Sequence, residues 1–95
     1  MARQSPKAEA AEITALRALA WVVSDEDRAS RFLSLTGCDG ETLRQRAGDA
    51  HILGAVLDFL LEDESSLLAF ADSVDLPAQA VAMARSSLPG AMPRG

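Results

Sequence analysis

Apolar residues recur along this chain at three- and four-residue intervals, between short polar stretches rich in Ser, Asp, Gly and Pro. That pattern predicts short amphipathic helices rather than strands. Ser5 before Pro6 reads as a helix start, and Ile13, Leu16, Ala20 and Val23 then trace one face of a first helix over about 6–23. Ser24 with Asp27 resembles a shortened capping box, and Asp25 and Glu26 add negative charge at the positive end of a second helix over about 25–36. Gly37 suits the left-handed residue that ends this helix, with Cys38 folding back as an ordinary hydrophobe would.

Asp39 is placed to cap a brief third helix through Leu43 and Ala47 that Gly48 ends, and Asp49 to cap a fourth over about 50–62. Ile52, Leu53, Val56, Leu57, Phe59, Leu60 and Leu61 cover most of the fourth helix's circumference, so it is expected at the centre. His51, Gly54, Asp58 and Glu62 form its narrow polar stripe, and Gly54 is expected to admit a close neighbour. Asp63, Glu64 and Ser65 open a fifth helix with Leu67, Leu68, Phe70, Ala71 and Val74 inward. Pro77 begins a sixth that uses Val81, Ala84 and Leu88 before Pro89 and Gly90 stop it. Residues 1–5 and 90–95 lack an apolar face and are expected to fray.

Sliding the chain against itself by 38 positions aligns residues 18–47 with 56–85. Leu19 meets Leu57, Asp25 meets Asp63, Glu26 meets Glu64 and Phe32 meets Phe70, while Trp21 falls on Phe59, Cys38 on Leu76 and Leu43 on Val81. Four identities in thirty pairs exceed the roughly two expected of Ala- and Leu-rich helices, and similar helix-turn-helix spacing can produce such a match without a true repeat. The fold class expected is therefore an all-α, compact single-domain bundle of five or six short helices spanning 6–89, with two pseudo-repeated three-helix units as its candidate organisation.

Composition agrees with helices: Ala supplies 18 and Leu 13 of the 46 apolar residues, against 7 for Val and Ile together. Ninety-five residues suffice for one small core. Apolar runs are too short for a membrane span, and Glu9 and Glu12 interrupt any secretory h-region, so a cytoplasmic location is expected. One Cys and one His cannot make an internal disulfide or a Cys/His zinc site. A formal charge of −5 and only four aromatic rings disfavour nucleic acid.

The strings ALAWVVSDEDRASRFLSLTG, DGETLRQRA and AVLDFLLEDESSLLAFADSVDLPAQAV, which span most of residues 10–90, resemble a family of small alphaproteobacterial proteins known as a domain of unknown function. The W-x-x-x-DEDR-x-x-RF-x-x-LTG and AVLDFLL-x-DE-x-x-LLAFA patterns are the specific parts of the likeness. The resemblance implies no established activity or cofactor. Its one partner implication is a response-regulator system. A Leu or similar hydrophobe commonly follows the LTG glycine in such proteins, so Cys38 departs from the pattern in a way that argues against a catalytic thiol.

The acidic runs Asp25-Glu26-Asp27 and Glu62-Asp63-Glu64 lie where helix starts want negative charge, and neither has the glycine-centred oxygen loop of a calcium site. Ser24, Asp25, Asp49, Asp63 and Gly37 are accordingly read as structural caps. His51 is expected near the surface, and no G-x-S-x-G elbow or Gly-rich phosphate loop occurs. No catalytic, metal or cofactor residue is assigned. The apolar faces exceed what so small a domain hides, and Trp21, Val22, Val81 and Met83 are the candidate surplus. The expected function is a noncatalytic protein interaction or adaptor module, docking a partner helix or a second copy of the chain. A helical nucleic-acid-binding regulator using Arg44, Arg46, Arg17, Arg28 and Arg31 is the alternative, and a small hydrolase-type enzyme a more distant one.

Overall fold

The computed structural model describes residues 6–88, with side chains from Glu9 onward. The expected start at Ser5, the stop at Pro89 and Gly90, and the frayed ends 1–5 and 90–95 lie outside the described residues. Six helices occur among the described residues: α1 (Pro6–Val23), α2 (Glu26–Thr36), α3 (Gly40–Gln45), α4 (Ala50–Leu61), α5 (Glu64–Ser73) and α6 (Ala78–Ser86). The chain is an all-α bundle, with α4 packed against α1, α2, α5 and α6. Seven of the twelve residues of α4 are buried, because its apolar groups cover most of its circumference and leave only a narrow stripe, with His51 and Asp58, to face water.

Local chemistry sets most helix boundaries. The Asp25 carboxylate accepts from the Arg28 amide at 2.9 Å, Asp39 from the Thr42 amide at 2.8 Å and Asp49 from the His51 amide at 2.7 Å. Each satisfies an amide that the first helical turn leaves unpaired. Gly37 adopts φ 74° and donates its amide to the Leu33 carbonyl, and half-buried Cys38 then packs on the core.

Two expected caps are corrected. Ser24 does not cap α2: its hydroxyl donates to the Trp21 carbonyl at 2.7 Å, so it closes the end of α1, and the extended Asp25 takes the cap position. Asp63 occupies the cap position of α5, yet its carboxylate accepts from the Ser66 hydroxyl at 2.7 Å rather than from a backbone amide.

The inward face of α1 is the one that carries its small residues. Ala11, Ala15, Ala18 and Val22, at spacings of four, three and four, form the buried stripe, joined by Leu19. Ile13, Leu16 and Val23 are 55, 44 and 45% exposed. Alanine lets helix axes approach closely, and this stripe is where α1 meets α4 and α6. The larger residues are left on the far side. Leu68 of α5, expected inward, is likewise 52% exposed, while Phe70 and Ala71 carry that contact.

The 38-residue register extends to three of the helix boundaries. Val23 and Leu61 end the first helix of each unit, Glu26 and Glu64 begin the second, and Gly40 and Ala78 begin the third. Gly37 and its counterpart Asp75 share the left-handed conformation, with φ 74° and 59°; Asp is among the few side chains that adopt it readily. The aromatic contacts are reciprocal. Trp21 of the first unit packs edge-on against Phe70 of the second, at 5.9 Å between centroids, and Phe59 of the second packs edge-on against Phe32 of the first, at 5.4 Å. The third helices break the correspondence: α6 lies against α1, α4 and α5, whereas α3 packs only lightly.

Candidate functional site

The surface expected from sequence is largely interior. Val22 and Val81 are fully buried, because Val22 shares the alanine stripe of α1 and Val81 is the innermost residue of α6. Trp21 is half-buried between the Phe70 ring and the Arg28 guanidinium, which lies 3.7 Å from the centroid of the indole ring. Met83, 63% exposed, is the one member of that set on the surface, where it lines a cleft of about 410 Å³ between α1 and α6.

A second cleft answers better to the expectation of an apolar docking face. A groove of about 440 Å³ runs between α1, α2 and α3. Leu16, Leu19, Ala20 and Val23 of α1 form one wall, Ala29 and Leu33 of α2 the floor, and Gly40, Leu43, Arg44 and Ala47 the other wall. Ile13 extends the α1 wall, since a residue three before Leu16 and seven before Ala20 falls on the same helix face. Ile13, Leu16, Ala20 and Val23 are the residues whose periodicity was legible in the sequence. Periodicity identified them as one stripe and left undecided which way that stripe points.

In the second unit the corresponding space is closed. Leu16, Ala20 and Ala47 of the groove have Gly54, Asp58 and Arg85 as their counterparts 38 residues on. Arg85 of α6 crosses α4 at Gly54, where a Cβ would stand 3.1 Å from its guanidinium carbon, and its Nε donates to Asp58 at 2.8 Å. The neighbour for which Gly54 makes room is thus a side chain rather than another backbone.

Most of the remaining basic groups are occupied by the chain itself. Arg31 lies over the Phe59 ring and 3.7 Å from Asp63, and Arg46 pairs with Asp49 at 2.9 Å. Arg17 and Arg44 have no carboxylate partner among the described residues. The Arg46 guanidinium holds the Asp49 carboxyl below its ordinary range, as the Thr42 amide does for Asp39 and the Ser66 hydroxyl for Asp63. These shifts belong to helix starts. Asp39 and Asp63 lie in different units, His51 is exposed, and among the described residues no three His, Cys, Asp or Glu side chains converge as a metal site would require.

No single helix among the described residues is long and apolar enough to cross a membrane; α5 and α6 together have the composition but bend by 101° between them. No curated protein and no solved structure matches the chain. A family model described as "Protein of unknown function (DUF3572)" matches residues 8–91. Because that match spans nearly the whole chain and includes both patterned stretches, the chain belongs to the DUF3572 family.

Proposed function

We propose that this protein is a noncatalytic helical interaction module that binds a protein partner through the apolar groove of its first unit. The observation that carries the reading is the orientation of α1, which turns alanines inward and leaves Ile13, Leu16 and Val23 as a solvent-facing stripe beside the groove. Apolar surface gathered on one face favours association, since covering it releases ordered water. The groove's lining supports binding over chemistry: it contains no acid, His or Cys, and Arg44 is its one charged residue. The use of Arg28, Arg31 and Arg46 within the chain supports a protein partner over nucleic acid.

Site-specific photo-crosslinking in the native cell tests this. A crosslinker at Val23 on the groove rim is expected to capture a protein that the same group at Ala69, an exposed position on α5, does not. Equal yields from both positions would refute the reading. Capture of nucleic acid from position 23 would favour the regulator alternative.

A further inference from the structure

We draw no further inference here: the strongest candidate, the apolar groove between α1, α2 and α3 with Arg44 as the one charged residue of its lining, carries nothing beyond the interaction reading above, because nothing in the structure shows what covers it.

Discussion

The two halves of this molecule share a register and differ in how they close. Both have a long or central first helix, a second helix begun at an Asp and ended by a left-handed residue, and a short third helix, with the end of the first and the starts of the second and third 38 residues apart. In the second half, Gly54, Asp58 and Arg85 seal α6 onto α4. In the first, Leu16, Ala20 and Ala47 occupy those places and α3 stays away from α1, which leaves the groove. Equivalent positions along a chain therefore need not produce equivalent surfaces. A few side chains at the third helix decide whether a unit completes its own core or presents it.

The largest effects should come where the halves are most alike. Phe32 and Phe70 are both fully buried and each meets a ring of the other unit, so Phe32→Ala and Phe70→Ala should each cost about 3–5 kcal/mol in denaturant unfolding. A cost confined to one of them would break the correspondence.

The next contrast lies within α1. Ala15→Leu forces volume into the close contact with α4 and α6 and should cost about 1–3 kcal/mol. Val23→Ser, on the groove rim, should stay within about 0.5 kcal/mol. Thermal melts that reverse this order would mean that the larger residues of α1 face the core after all.

Helix starts give a smaller effect. Asp25→Ala should cost about 0.5–2 kcal/mol, because the Arg28 amide loses its acceptor. Ser24→Ala should cost less, its hydroxyl bond to Trp21 being exposed. Comparable costs would restore Ser24 as a cap.

The smallest effect is a pH dependence shared by both halves. Asp39, Asp49 and Asp63 have folded pKa values below the ordinary 3.8. Groups shifted in this sense contribute stability that is present above the ordinary value and is lost as pH falls through the lowered ones. The melting temperature should change little between about pH 7 and 5 and fall below about pH 4. The difference between the unaltered chain and Asp49→Asn should vanish at the acid end of that range, and a difference that persists there would exclude ionisation as its cause.

How far the fold was legible varies by element. The extent and central place of α4 were readable because nine apolar residues in twelve cover most of its circumference. Asp39, Asp49 and Gly37 were readable because capping and left-handed turns depend on neighbours two to four residues away. Val22 and Val81 are buried rather than surplus: Val22 shares the alanine stripe of α1, whose larger side chains face outward, and Val81 is the innermost residue of α6. The groove followed from that orientation, and its one advance sign was an alanine at every position of the opposite stripe from Ala11 to Ala18.

The residues alone determined the helices and most of their limits, since these rest on local backbone chemistry and on periodicity along the chain, and they offered the 38-residue register only as a candidate. Only the tertiary structure decided that the alanine face of α1 turns inward, that Arg85 seals one unit and that the other stays open. Those outcomes depend on which helices approach most closely, a competition among distant surfaces that periodicity within any single helix does not encode.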